Sequence, residues 1–466
     1  MAEPEVFPYI PNSVPEIRQR MLDKIGIESV EDIYKEIPDH LRLKSRLNTP
    51  GPISSEYDLK RHCEELLEDG GNGADCKKYI GFLGGGIWNH YVPSVVTTIM
   101  ERDEFLSSYV GEAFADHGKW QAQFEYASCM AELLEMDMVN TPTYDWGMAS
   151  ATSIRMASRI TGRDAALYAG SISPDRLSCM KNYAWSAVPE FIEVGFDAET
   201  GLIDLDDLKA KLSDEIAVFY FEQPAFLGMV ETQCAEIVEA VHAAGALVAV
   251  GVDPSSLGVI EAPGVWGADI ACGDVQGLGI PMQCGGGAGG FVATQDEEKF
   301  TAEFPSLLFG VTPTIVEGEY GYGEVFFERT SYASREKAKD FLGTMAQLHG
   351  IGAGVYLSLM GPQGMVELGE GIMQRAAYLV GELGKLKGVK APKYSAPVFK
   401  EFVVDFSGTG KKVADINKAL LKKKIFGGKD LSEMCPDLGQ SALYCVTEVH
   451  TKSDLDALVT ALKEIL

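Results

Sequence analysis

Apolar and polar positions repeat with two different periods along this chain. Over residues 1–110 apolar side chains recur at helical spacing between charges. YIPNSVPEIRQRMLDKIG (9–26) and SVEDIYKEIP (29–38) each predict a helix, with Ser13 or Ser29 as cap. Pro50-Gly51-Pro52 breaks the pattern. SSEYDLKRHCEELLED (54–69) restarts it, with Ser55 as cap, one face of Leu59, Cys63, Leu66 and Leu67, and a stop at Gly70-Gly71-Asn72-Gly73. From 111 to 345 short aliphatic runs alternate with amphipathic stretches. Helices are predicted over 121–135, 149–160, from Pro174, over 204–212 and over 234–246; strands over 165–170, 190–196, 216–224, 247–254, 268–272 and 289–294. Alternation with short loops predicts a mainly parallel sheet covered on both faces. Beyond 346 a long helix interrupted at Gly361-Pro362 leads into a strand (399–406), a helix (413–424) and a strand (441–449). A last helix carries the stripe Leu455, Leu458, Val459, Leu462 and Leu466. The expected class is α/β in three parts: a helical arm (1–110), a large α/β domain (111–345) and a small α+β domain (346–466).

Charge narrows the partners. Asp and Glu number 68 against 40 Lys and Arg, a net charge of −28, which argues against nucleic acid or an anionic membrane as the main partner. The nine cysteines are scattered, without a CxxC pair, which suits a reducing cytoplasm. The first residues lack the basic and apolar regions of a secretory signal, and no run of 18 apolar residues predicts a membrane span. A cytoplasmic location is expected.

The chemistry centres on residues 247–295. Leu247–Val252 is a buried-strand pattern that ends in Asp253-Pro254, and ADIAC (268–272) is a second such run. An acid ending a buried strand lies at the ligand edge of a doubly wound sheet. A carboxylate there needs a cofactor cation, an arginine, or the backbone donors of an Asx-turn. Enzymes that use pyridoxal phosphate (PLP) in this arrangement pair the acid with the pyridinium nitrogen and place a Schiff-base lysine about two dozen residues later. Here no lysine occurs between Lys211 and Lys299, so the pocket is expected to lack an amine. Tyr144-Asp145-Trp146-Gly147 leads into a helix whose free N–H groups, with Ser150 and Thr152, could receive a phosphate. Gly84-Gly85-Gly86 permits positive φ and close backbone approach before His90 and Tyr91, or is simply a packed turn. The seven histidines show no metal-ligand spacing, and no GxSxG or P-loop motif occurs.

Taken together, YIPNSVPEIRQRML (9–22), EIPDHLRLK (36–44), GFLGGGIWNHYVPSVV (81–96), FEYASCMAELLEMDMVN (124–140), VDPSSLGVI (252–260), GADIACGDVQGLGIP (267–281), YLSLMGPQGM (356–365), FKEFVVDF (399–406) and IFGGKDL (425–431) carry a family likeness. The chain resembles subunit 1, the alpha subunit, of the two-subunit glycine decarboxylases, the P-proteins of glycine cleavage. The resemblance implies a PLP-dependent transferase fold of type I (aspartate aminotransferase-like). It implies a heteromer in which a beta subunit holds PLP on its own lysine, and transfer of the aminomethyl group of glycine to the lipoyl arm of H-protein. It sets Gly277 at the missing lysine, makes Asp253 a vestigial pyridinium partner, and puts Gly84, Gly85, Gly86, His90 and Tyr91 at the beta-subunit interface or substrate entrance. Departures fall in the stretch from Tyr109, at Tyr144–Gly147, at Ser173-Pro174, at Gln223-Pro224-Ala225 and from Lys339. They suggest a divergent member, and leave two alternatives: a lapsed PLP-fold paralogue acting as a binding or regulatory partner outside glycine cleavage, or a homomeric enzyme using Lys337 or Lys339.

Overall fold

The computed structural model describes residues 6–7, 9–45, 47–68, 78–106, 117–340 and 345–466. It divides into two compact units, Met1–Ala74 and Asp75–Leu466. In the first, α1 (Pro15–Ile25) begins with proline at its first position and ends at Gly26, whose φ of 82° closes the helix in the left-handed region. Ser13 does not cap it: its hydroxyl instead donates to the Ile10 carbonyl at 2.6 Å and accepts from the Phe7 N–H. Ser29 caps the short 3-10 turn Val30–Tyr34 in a capping box with Asp32, and Ser55 caps α2 (Glu56–Leu67) through the Asp58 N–H. The predicted glycine stop at 70–73 lies outside the described residues, as do the boundary at 110/111 and the stretch from Tyr109.

The second unit opens with β1 (Ile80–Gly81), α3 (Ser94–Met100), α4 (His117–Leu134) and β2 (Met138–Val139). The predicted alternation follows: α5 (Trp146–Thr161), β3 (Ala165–Ala169), α6 (Pro174–Ala184), β4 (Glu190–Val194), α7 (Leu205–Lys211), β5 (Ile216–Gln223), α8 (Cys234–Ala243), β6 (Leu247–Val252), β7 (Ile270–Asp274) and β8 (Gly290–Thr294). Among the described residues these strands form a seven-stranded sheet in the order β2-β8-β7-β6-β5-β3-β4. β4, β3, β5, β6 and β7 run parallel, β8 runs antiparallel to β7, and β2 pairs antiparallel with β8 at that edge. Every residue of β3, β5, β7 and β8 is buried, because helices cover both faces and neither face needs polar side chains.

After α9 (Glu298–Thr301) comes a feature absent from the predicted pattern: an antiparallel hairpin of β9 (Phe309–Pro313) and β10 (Tyr320–Glu324). The short α10 (Ser331–Ser334) follows, then α11 (Gln347–Leu383), which is broken where expected, with Gly361 at φ 59° and Pro362 beside it. β11 (Glu401–Asp405), α12 (Val413–Leu421), β12 (Ile425–Phe426), β13 (Lys429–Asp430), β14 (Ser441–Cys445) and α13 (Lys452–Ile465) complete the chain. β11, β14 and β13 form a second, antiparallel sheet, and β12 pairs with β1. A separate core lies here: Phe402, Val404 and Tyr444 pack with Leu455, Leu458, Val459 and Leu462, four members of the predicted stripe on α13.

Candidate functional site

β6 is a largely buried apolar run, and the carboxylate that ends it is buried too: Asp253 is 3% exposed. Its Oδ1 accepts from the Ser255 N–H at 3.1 Å and from the Ser255 hydroxyl at 2.8 Å, the expected turn geometry. Its Oδ2 faces a cation, the Lys400 ammonium, at 2.7 Å. Lys400 reaches over from the position just before β11 and is itself 2% exposed. An ammonium has three N–H donors. Lys400 has three acceptors: Asp253 Oδ2, Ser255 Oγ at 3.2 Å and His90 Nε2 at 3.0 Å. The Trp88 ring covers it at 3.5 Å, adding a cation–π contact. His90 places Nδ1 2.8 Å from Glu448 Oε2. These partners assign its proton to Nδ1, leaving Nε2 to accept from Lys400. Burial pushes the Glu448 carboxyl up, but the hydrogen bonds from His90 Nδ1 and from the Tyr91 N–H outweigh it and hold the group down at about 2.

The glycine loop is tied to the same centre. A Cβ on Gly84 would sit 2.1 Å from Glu401 Oε1 and 2.8 Å from Cys445 Cβ, so only glycine allows that approach. Gly85 and Gly86 take φ of 91° and 128°, and the Gly85 N–H donates to Glu401 Oε1 at 2.6 Å. The Trp88 N–H donates to Gln276 Oε1 at 3.0 Å, and Gln276 Nε2 returns a bond to the Trp88 carbonyl at 2.8 Å.

At the start of α5 the expected anion site carries anions of its own. Asp145 is the N-cap, with Oδ1 accepting from the Met148 N–H at 2.8 Å. Ser150 turns back to the Trp146 carbonyl at 2.5 Å, and Thr152 is buried. Trp146 Nε1 donates to the Tyr220 hydroxyl at 3.1 Å, which donates on to Glu222. Arg176 grips Glu222 through two bonds of 2.6 Å and lies 4.2 Å over the Trp146 ring. A cavity of about 410 Å³ lies alongside, lined in part by Gly84, Gly85, Gly86, Asp145, Asp175 and Asp274. Burial pushes the Asp274 carboxyl up to about 7 despite a hydrogen bond from the Gln276 N–H and the nearby Arg176 charge. Beside Asp253 and Lys400, between Trp88 and Trp146, the remaining space is about 20 Å³.

The fold thus gathers Asp253, Gly277 and His90 into one place. A Cβ on Gly277 would lie 3.3 Å from Ser255 Cβ and 3.6 Å from Asp253 Oδ1. Two expectations need correction. The pocket does contain an amine, that of Lys400, which no inspection of residues 212–298 could reveal. His90, expected at an entrance, is 7% exposed and turned inward, because Lys400 and Glu448 bind both of its ring nitrogens. Tyr91 does face outward, at 64% exposure. Lys339 pairs with Glu303 and lines a different cavity, with Arg155 and Tyr332. One sequence signal for Lys400 existed: a lysine between Phe399 and Phe402, in a strand otherwise destined for the core. Among the described residues, no group of three or more His, Cys, Asp or Glu side chains is arranged to hold a metal ion, and no helix is long and apolar enough to cross a membrane.

Comparison with known proteins matches residues 8–462 to the model of the glycine cleavage system P-protein family. Curated relatives include "probable glycine dehydrogenase (decarboxylating) subunit 1" of Staphylothermus marinus, 36% identical with 98% of each chain covered. The protein of the same description from Sulfolobus acidocaldarius is 35% identical over 99% of this chain and all of the relative. A crystal structure of a glycine decarboxylase (P-protein) of the glycine cleavage system, in inhibitor-bound form, matches with TM-score 0.83 and 31% identity, covering 99% of this chain and 100% of that one. A NifS-like protein, 12% identical with TM-score 0.61, shares the fold alone over 83% of this chain and 99% of its own. The architecture is the type I fold of PLP enzymes, as the family resemblance implied.

Proposed function

The chain belongs to the glycine cleavage system P-protein family, and from that premise we propose that it is the alpha subunit of a two-subunit glycine decarboxylase, without a cofactor-linked lysine of its own. The partner is a lysine-bearing beta subunit, glycine dehydrogenase subunit 2, which holds the PLP. The assembly decarboxylates glycine and passes the aminomethyl group to the lipoyl arm of H-protein in the cytoplasm. The arm (1–110), large domain (111–345) and small domain (346–466) stay a proposed division, although the second compact unit already begins at Asp75. One observation carries the reading: a chain similar end to end to subunit 1 proteins has a glycine, Gly277, beside Asp253, and glycine cannot form an imine.

The local chemistry supports assigning the cofactor to the partner. A cavity of about 20 Å³ beside Asp253 takes roughly one water, not an aromatic ring. The Asp253 charge is already answered by Lys400. At the α5 end, the cavity is lined by the acids Asp145 and Asp175, and its arginine, Arg176, is committed to Glu222. The residues do not fit PLP, so no step runs through it in this chain. What remains is a support role, in which Gly84, Gly85, Gly86 and Tyr91 present a rigid face at the entrance of the partner's site.

Exchange of bicarbonate carbon into the glycine carboxyl group tests this. The purified chain is expected to show none, and addition of the beta subunit and H-protein to establish it. Full exchange by this chain alone overturns the proposal. Neither co-elution nor exchange in the mixture overturns it in favour of a binding partner outside glycine cleavage.

A further inference from the structure

The clearest unexplained feature is a lysine buried in the pocket of a cofactor that the pocket does not fit. We infer that Lys400 is an internal substitute for the pyridinium nitrogen, a positioning residue whose ammonium replaces the cofactor's charge against Asp253. The inference rests on reading Asp253 as a cofactor-type acid, as above.

Three observations converge. First, the hydrogen bonding of the ammonium is complete: three donors meet Asp253 Oδ2, Ser255 Oγ and His90 Nε2, and an indole face closes a further side. Second, removal of any member strands another. Without Lys400, Asp253 keeps only its turn donors, Ser255 N–H and Oγ, and His90 Nε2 loses the donor it faces. Third, the cation joins segments far apart in sequence. Asp253 and Ser255 follow β6 of the large sheet, Lys400 immediately precedes β11 of the small one, His90 belongs to the glycine loop, and Glu448 follows β14. A bound cofactor would link such segments from inside the pocket. Here Lys400 links them permanently, so the glycine loop holds its shape whether or not PLP is available.

The test uses the full-length chain. Lys400→Ala is expected to lower the thermal midpoint by roughly 4–6 °C, as for one partner lost from a buried pair in a chain of this size. Propylammonium chloride should restore part of the loss in this variant, saturably, where sodium chloride at equal concentration does not. The double variant Lys400→Met/Asp253→Asn should melt above Lys400→Met, since the stranded charge is gone. In the unaltered protein, incubation with pyridoxal phosphate and then borohydride should leave Lys400 without a pyridoxyl group by peptide mass mapping, a readout that needs no variant to fold. A pyridoxyl adduct on Lys400 overturns the inference. So does a double variant no more stable than Lys400→Met together with no amine response. Failure here leaves exchange in the two-subunit mixture unaffected, and failure of that exchange leaves the ion pair intact.

Discussion

Asp274→Asn is expected to stabilise this protein at neutral pH, although it removes a native charge. The carboxyl lies at the end of β7, 3% exposed, beside a cavity that also holds Asp145 and Asp175. Burial is the largest influence on it and raises it from 3.8 to about 7. The folded chain therefore keeps a proton that the unfolded chain releases near 3.8. Protons favour the folded state across that window, so the contribution of Asp274 is best below about 4, declines as the pH rises toward about 7, and stays low above it. At about 1.4 kcal/mol per pH unit the full decline is ~4 kcal/mol, an upper bound that local water and rearrangement reduce to about 2. Asparagine keeps an oxygen to accept the Gln276 N–H and cannot ionise. The assay is urea unfolding of the wild type and the variant at pH 5, 6, 7 and 8. The variant should gain stability steadily from pH 5 to 7, reaching ~2–4 kcal/mol at pH 8. Parallel pH profiles, or a variant weaker at pH 8 than at pH 5, refute the account of a desolvated carboxyl.

Two further perturbations probe the same region. Glu448 is held at about 2 by His90 and the Tyr91 N–H, so its stabilisation is present above its ordinary value of 4.5 and is lost as the pH falls through about 2. Glu448→Gln should cost ~1–3 kcal/mol at pH 7 and make the acid-unfolding curve shallower below pH 4.5, as monitored by circular dichroism. Gly251→Ala puts a methyl 2.4 Å from the Tyr220 hydroxyl and 2.7 Å from Trp146 Nε1. It should cost ~1–3 kcal/mol through overpacking and change the tryptophan emission as the Trp146–Tyr220 bond breaks; an unchanged spectrum refutes the contact.

What the amino-acid order determined by itself was local and periodic. The aliphatic run of β6 and its closing acid, the helices between strands, the break at Gly361-Pro362 and the stripe on α13 each follow from neighbours a few positions away. The resemblance to P-proteins, and the lack of lysine at Gly277, were legible for the same reason: motifs and gaps are read along the chain. The partner of Asp253 was not. Lys400 lies 145 positions from Ser255 and 310 from His90, and in a strand sequence it looks like an ordinary edge lysine. Whether a buried carboxylate meets a cofactor or a side chain depends on which segments the two sheets bring together. Charge pairing across such distances leaves no period in the sequence, so only the tertiary structure decided that this pocket carries its own cation.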